Sequence, residues 1–202
     1  AGKSTLLNAV LGQKLSIVSN RPQTTRNRIV GIHNEDGMQA VLVDTPGLHQ
    51  PKDRINKAMV GAATESLAGV DVTTWVVDGR RVFERVRDGK TPWHKGHDAI
   101  LRIIEARDAG SLVVAINKVD KVPRVQLLPI LAAFSQRLPE ATFVPVSALK
   151  NDGLDRLQGA WRDLLPEGPP LYPEDVLTDQ TERFIVSELI RAAMFVQIKA
   201  SP

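Results

Sequence analysis

Four short apolar runs punctuate the chain: Ala40-Val41-Leu42-Val43, Thr73-Thr74-Trp75-Val76-Val77, Leu112-Val113-Val114-Ala115-Ile116 and Thr142-Phe143-Val144-Pro145-Val146. They are rich in β-branched residues, continuous rather than alternating, and each stops at a polar residue. Buried strands of an α/β sheet read this way. Helical patterns lie between and after them, with apolar residues three and four apart. Leu101, Ile104 and Glu105 belong to one, Leu127, Leu128, Leu131 and Phe134 to a second, and Leu154, Leu157, Trp161 and Leu164 to a third. Strands alternating with helices predict a doubly wound, mainly parallel sheet, with Trp75 and Trp161 in its core. Ligands of such sheets bind beyond the carboxyl ends of the strands. The polar residues that end the runs are therefore where chemistry is expected.

From Pro166 to Pro173 the chain holds four prolines and a glycine, the composition of a linker. This predicts a first domain over residues 1–165, a linker over 166–178, and the beginning of a second, α+β domain over 179–202. In that second part Asp179 and Glu182 have the spacing of a capping box. Ile185, Val186, Leu189, Ile190 and Ala193 follow as a helical stripe, and Val196 to Lys199 alternate like the start of a strand.

Four motifs carry the candidate chemistry. Gly2-Lys3-Ser4-Thr5, followed by the helical Leu6-Leu7-Asn8-Ala9-Val10-Leu11, is the back half of a phosphate-binding loop. Backbone N–H groups at a helix start suit a polyphosphate, Lys3 adds a charge on the β/γ-phosphates, and the Ser4 hydroxyl is a Mg²⁺ ligand. The strand leading into this loop and its front glycine are expected before Ala1. Asp44-Thr45-Pro46-Gly47 follows the first run. Asp44 is placed to hold a Mg²⁺-bound water, and Gly47 to bring a backbone N–H to a γ-phosphate. Asn117-Lys118-Val119-Asp120 ends the third run. The Asp120 carboxylate only accepts hydrogen bonds, and guanine offers adjacent donors at N1 and N2. Adenine offers neither, so discrimination of ~10⁴-fold is expected. Asn117 braces the loops, and the Lys118 stem covers the ring face. Ser147-Ala148-Leu149-Lys150 ends the fourth run, with small residues that let the Ala148 N–H approach guanine O6. Singly, each motif has a plainer reading as a helix start or a solvated turn. All four in order, each at a strand end, resemble the translation-factor class of P-loop GTPases.

Composition changes this picture little. The 202 residues carry a net charge of +3 and no cysteine, which removes disulfides and thiolate metal sites and fits the cytoplasm. No apolar run approaches the ~18 residues of a membrane helix. The sequence pI of 9.3 is a weak hint of nucleic acid, because the basic residues form no run. His94 and His97 lie three apart without a third ligand near them, and are expected as solvated loop residues. His33 and His49 are expected at the surface.

The segment Ser19-Asn20-Arg21-Pro22-Gln23-Thr24-Thr25-Arg26-Asn27-Arg28-Ile29-Val30-Gly31-Ile32 narrows the resemblance. Its paired threonines with Arg26 look like the first switch of the TrmE–Era–EngA group, in which Thr25, or else Thr24, completes the Mg²⁺ shell when GTP is bound. Asp44-Thr45-Pro46-Gly47-Leu48-His49 and the tail, Tyr172-Pro173-Glu174-Asp175 and then Thr178-Asp179-Gln180-Thr181-Glu182-Arg183-Phe184, are most similar to the Era family. The resemblance covers nearly the whole chain except roughly residues 80–98, where the family has a shorter stretch.

What the resemblance implies is a GTP-hydrolysing switch in small ribosomal subunit maturation. Lys3, Thr25 and Gly47 would be its catalytic residues. Gly2, Lys3, Ser4, Thr5, Asn117, Lys118, Asp120, Ser147, Ala148 and Leu149 would hold GTP or GDP, and Ser4, Thr25 and Asp44 would hold Mg²⁺. It also implies a following KH domain and 16S rRNA as partner, with no DNA; it leaves a monovalent cation and a peripheral place at the inner membrane open. Leu48 stands where many GTPases have the glutamine that orients water, so intrinsic hydrolysis is expected to be slow. The Gly-x-x-Gly loop of KH domains is absent from residues 179–202, so RNA binding rests on the resemblance. A nucleotide-dependent binding module with negligible hydrolysis is the alternative, and a tRNA-modification or ribosome-assembly GTPase of the wider group is a third reading.

Overall fold

The computed structural model describes residues 1–16, 29–45, 69–105, 111–181, 183–187 and 190. Thr24, Thr25, Gly47, Leu48, Glu182 and the strand expected over 196–199 lie outside them. The chain divides into two compact units, one built on residues 1–2 and 64–167 and the other on residues 3–47 and 168–202.

The first of these contains a three-stranded parallel sheet, β3 (Val72–Asp78), β4 (Ser111–Asn117) and β5 (Thr142–Val146), in the order β3-β4-β5. These are the last three apolar runs. Val113, Val114, Ala115 and Ile116 of the central strand are wholly buried, as continuous apolar runs in a parallel sheet must be. Helices α2 (Gly79–Arg87), α3 (Lys95–Glu105), α4 (Arg124–Ser135) and α5 (Leu154–Arg162) alternate with the strands. The stripe on α4 is Leu127, Ile130, Leu131 and Phe134. Leu128, expected in it, is 74% exposed, because a helix turns 100° per residue and its neighbours at 127 and 131 already take the inner face. Leu164 lies beyond the end of α5. Trp161 is buried, with its indole N–H donating to Thr74 Oγ1 at 2.9 Å.

Residues 80–98, which the resemblance leaves out, are ordered structure. Asp78 caps α2 by accepting from the Arg81 backbone N–H, and Val82 is buried. After the turn at Gly89, Trp93 and His97 enter a cluster with Trp75 and Phe134, ring centroids 5.1 to 6.2 Å apart. His97 is therefore a helical core residue and not a solvated loop one. Its partners are aromatic rings, and its Nδ1 has no hydrogen-bond partner among the described residues. Burial first, then the neighbouring His94 and Arg85, lower its pKa to about 4 against a smaller opposing effect of Asp98.

This burial makes stability depend on pH. The unfolded chain takes up a proton on this imidazole near pH 6.5, and the folded chain does not until about pH 4. The stabilisation is therefore fully present above pH 6.5 and lost as pH falls toward 4. Between pH 7.5 and 5 the loss amounts to about 2 kcal/mol. Urea denaturation at the two pH values should show a stability difference that His97→Phe reduces by that amount. An unchanged difference in the variant would mean that His97 is not held neutral.

The other unit pairs β1 (Ile29–Glu35) with β2 (Met38–Asp44), antiparallel, Ile29 opposite Asp44 and Glu35 opposite Met38. The first apolar run is thus a hairpin strand and not a parallel one. The two-residue Asp36-Gly37 connection sets this register, with Gly37 at φ +74°. Helix α1 (Lys3–Leu11) packs Leu7 and Leu11 on Ile29.

The proline-rich segment is hydrogen-bonded to this hairpin. Gln39 accepts from the Leu171 and Tyr172 backbone N–H groups at 2.7 and 2.9 Å and donates to the Tyr172 carbonyl. Asn34 donates to the Glu174 carbonyl, the Ile32 N–H to the Leu177 carbonyl, and the Thr178 hydroxyl to the Val30 carbonyl. A helical stretch follows over 183–187. The Thr181 hydroxyl accepts from the Phe184 N–H at its start, and Asp179 accepts from the Gln180 side chain; the contact expected between Asp179 and Glu182 lies outside the described residues.

Candidate functional site

Strand register assembles the base-binding motif. Asp78, at the end of β3, stands opposite Asn117, and Asn117 stands opposite Val146, so three carboxyl ends finish level. The residues that follow them, Gly79, Lys118 and Ser147, open onto one edge of the sheet. Asn117 is buried and bonded on both ends of its amide. Its Nδ2 donates to the Ala1 carbonyl at 3.0 Å, and its Oδ1 accepts from the Lys118 and Ala148 backbone N–H groups at 2.7 and 3.0 Å. One side chain thereby ties three backbone segments together.

Lys118 takes a left-handed conformation, φ +66°, which costs a non-glycine residue about 1–3 kcal/mol. Its ammonium donates to Asp78 Oδ2 at 2.6 Å, which helps hold that conformation. The turn Val119–Lys121 then presents Asp120. Ser147, also buried, donates its hydroxyl to Asp120 Oδ1 at 2.7 Å. Lys121 Nζ lies 3.7 Å from Asp120 Oδ2. The loop after β5 is closed by a two-way backbone pair between Ser147 and Asp152. Gly153 ends it at φ +74°, where a Cβ would stand 2.4 Å from the Pro145 carbonyl oxygen. Leu149, at the tip, is 70% exposed. The Ala148 N–H donates to the Asn117 side chain.

The phosphate and metal motif is described in its own unit. Ser4, in the first turn of α1, donates to Asp44 Oδ2 at 2.8 Å, and both residues are buried. Ser16 donates to the same oxygen at 2.8 Å. Asn8, one turn along α1, holds Ser16 in place: its Oδ1 accepts from the Leu15 and Ser16 N–H groups at 3.0 and 2.8 Å, and its Nδ2 donates to the Ser16 carbonyl at 2.8 Å. Hydroxyl and carboxylate oxygens are the donors a Mg²⁺ ion takes, so Ser4 and Asp44 fit that ion. Lys3 and Thr5 are partly exposed, and Gly2 has φ +92°. Thr25 and Gly47 lie outside the described residues.

Four residues of the site escape the sequence reading. Asp78 was accessible to it, being the polar residue that ends the second apolar run. Gly79 follows it, and a Cβ there would stand 2.9 Å from the Asn117 carbonyl oxygen. Asn8 and Ser16 carry no local signal, because their role is a contact between α1 and the loop after it. His33 is partly buried, and burial lowers its pKa against the opposing charge of Glu35.

Residues 1–118 match the family model described as 50S ribosome-binding GTPase. The chain is 46% identical over 194 residues to GTPase Era of Geotalea daltonii, covering 96% of this chain and 62% of that protein. GTPase Era of Azotobacter vinelandii is 41% identical over 201 residues, 98% of this chain and 63% of the relative. Among solved structures, Era in complex with MgGDPNP and nucleotides 1506–1542 of 16S ribosomal RNA superposes with a TM-score of 0.85 at 36% identity, over 95% of this chain and 62% of that one. Aquifex aeolicus Era Y63A bound to GDP and AlF4⁻ gives 0.84 at 36% identity, over the same shares. The chain therefore spans about 62% of the length of these relatives. Its fold is that of the P-loop GTPases, and the chain belongs to the Era GTPase family.

Proposed function

We propose that this chain binds GTP with Mg²⁺ and hydrolyses it to GDP and phosphate, as the guanine-nucleotide domain of a switch in small ribosomal subunit maturation. The observation that carries the reading is the Asp120 carboxylate, held by Ser147 beside a buried Asn117 that ties three segments together. An acceptor-only group in a fixed place suits the two donors on guanine and rejects adenine.

In this reading Gly2, Lys3, Ser4 and Thr5 take the phosphates, and Asn117, Lys118, Asp120, Ser147, Ala148 and Leu149 take the base. Ser4, Asp44 and Thr25 would hold Mg²⁺, which would offset the negative charge of the phosphates. Lys3 adds a second positive charge there, and Gly47 offers its N–H to the γ-phosphate. Leu48 has no group to orient water, so hydrolysis is slow until a partner supplies one. The 16S rRNA named with the solved Era complex is the partner this reading takes over, together with a domain boundary in residues 166–178. The cytoplasm, where ribosomal subunits mature, is the location it requires; no described helix is long and apolar enough to cross a membrane.

Calorimetric titration with GDP and with ADP, each with Mg²⁺, tests the base reading. GDP should bind at least ~10³-fold tighter than ADP. Equal affinities in folded protein would mean that the motifs do not form a guanine site. Leu48 also favours a second reading, a nucleotide-dependent binding module without appreciable hydrolysis. Single-turnover GTP cleavage separates the two.

A further inference from the structure

Asp78 ends β3 with a charge at the edge of a buried sheet, and its two carboxylate oxygens have separate tasks. Oδ1 accepts from the Arg81 backbone N–H at 3.2 Å and caps α2. Oδ2 accepts from the Lys118 ammonium at 2.6 Å. The Ala1 nitrogen and Arg81 Nε stand 3.9 and 4.0 Å from the same oxygen, too far for hydrogen bonds. Lys118 is therefore its close partner. The Asp78 side chain is only 10% exposed, so one end of this ion pair is largely out of water.

Lys118 is thereby held at both ends. Its backbone N–H donates to Asn117 Oδ1 at 2.7 Å, and its Nζ is fixed by Asp78. Strand register sets the second contact, because Asp78 stands opposite Asn117, the residue before the lysine. Gly79 keeps the two segments close: a Cβ there would stand 2.9 Å from the Asn117 carbonyl oxygen. A lysine side chain ordinarily keeps many rotamers, and ordering it only when a ligand arrives costs affinity. Here it is ordered beforehand. An ion pair this shielded adds little net stability, because desolvation offsets the attraction. What it fixes is a position.

We propose that Asp78 is a positioning residue for guanine-nucleotide affinity: it holds the Lys118 ammonium so that the lysine stem is set for the face of the base. This role rests on the guanine reading of the site, which gives Asp78 no part. A methylene stem covers apolar surface and makes no hydrogen bond to a ring edge. Asp78 therefore sets how tightly the nucleotide is held, and the choice of base stays with Asp120. The two effects separate in measurement, since only the second depends on the groups at the edge of the base.

The test is a double-mutant cycle on the full chain, read by calorimetry with GDP, inosine diphosphate and ADP, each with Mg²⁺. Asp78→Asn keeps a side chain that caps α2 as well as aspartate does, and leaves Lys118 free to turn to water. It should weaken GDP binding by about 5- to 10-fold. The ratio of GDP to inosine diphosphate affinity should stay within about twofold of the parent, because the 2-amino group that inosine lacks is read by Asp120. In a Lys118→Met background, which keeps the stem and removes the ammonium, Asp78→Asn should change GDP affinity by less than about twofold further. Should Asp78→Asn lose its cooperative thermal unfolding, Asp78→Ser, also a capping residue, carries the same cycle. An equal loss in both backgrounds, or a changed ratio of the two diphosphates, would overturn the proposal and leave Asp78 as the cap of α2. So would parental GDP affinity in Asp78→Asn while the parent prefers GDP to ADP. A parent that binds GDP and ADP alike would overturn the guanine reading itself, and this role with it.

Discussion

Asp120→Asn is expected to lower GDP affinity by about 10³-fold and to let xanthosine diphosphate bind in its place. The carboxylate has acceptors only. One oxygen already takes the Ser147 hydroxyl at 2.7 Å, a bond an asparagine carbonyl can keep. The other position then changes from an acceptor to an NH₂ donor. Facing guanine, that donor meets the N1 and N2 donors, and two charge-assisted bonds worth about 1.5–3 kcal/mol each are lost. Their sum is on the scale of the ~4 kcal/mol that 10³-fold represents. Xanthine carries an oxygen at C2 where guanine has an amine, so the same NH₂ finds an acceptor. Calorimetry with both diphosphates reads the exchange. A variant that still prefers GDP would place the base elsewhere. Because Ser147 and Asn117 are untouched, the loop stays closed and loss of folding does not confound the result.

The motif expected to bind the base was more legible in the sequence than the one expected to bind phosphate and metal. Asn117, Asp120 and Ser147 each end or follow a continuous apolar run, and a parallel sheet brings such ends level by register alone. Asp78 obeys the same rule and belongs with them. The hairpin was harder. Ile29 to Ile32 look like part of a switch segment, and the Asp36-Gly37 turn signal stood unused between two strands. Asn8 and Ser16 could not be found from spacing, since their contact depends on how the chain returns after α1. In α2 the charged residues obscured Val82, Phe83 and Val86, whose spacing is helical. His97 was misplaced for a similar reason: histidine next to Lys95 and Asp98 reads as surface, and only packing against Trp75, Trp93 and Phe134 makes it core. The proline-rich segment reads as a spacer by composition. Its hydrogen bonds come from Gln39 and Asn34, two polar side chains whose partners lie more than a hundred residues away.

Asp44→Asn should lower single-turnover GTP hydrolysis by about 10²–10³-fold while GDP binding in the absence of Mg²⁺ stays near that of the parent. The substitution keeps the size of the side chain and an oxygen that Ser4 and Ser16 can both reach, as they reach Oδ2 at 2.8 Å now. The buried hydroxyls remain paired, so the cost of an unsatisfied donor, about 1–3 kcal/mol, is avoided and the fold should survive. What disappears is the negative charge. A divalent ion held through an amide in place of a carboxylate is bound more weakly, and the several kcal/mol that a bound ion contributes at a phosphoryl centre go with it. Raising Mg²⁺ should recover part of the rate in Asp44→Asn, since the remaining proposed ligands, Ser4 and Thr25, are intact. Ser16→Ala should behave differently. Its hydroxyl positions Asp44 without being a proposed ligand, so the Mg²⁺ requirement should shift only modestly. If Asp44→Asn and Ser16→Ala lost activity equally, with no recovery by Mg²⁺, the pair would be a structural hydrogen-bond network and the metal would have to be held by other residues.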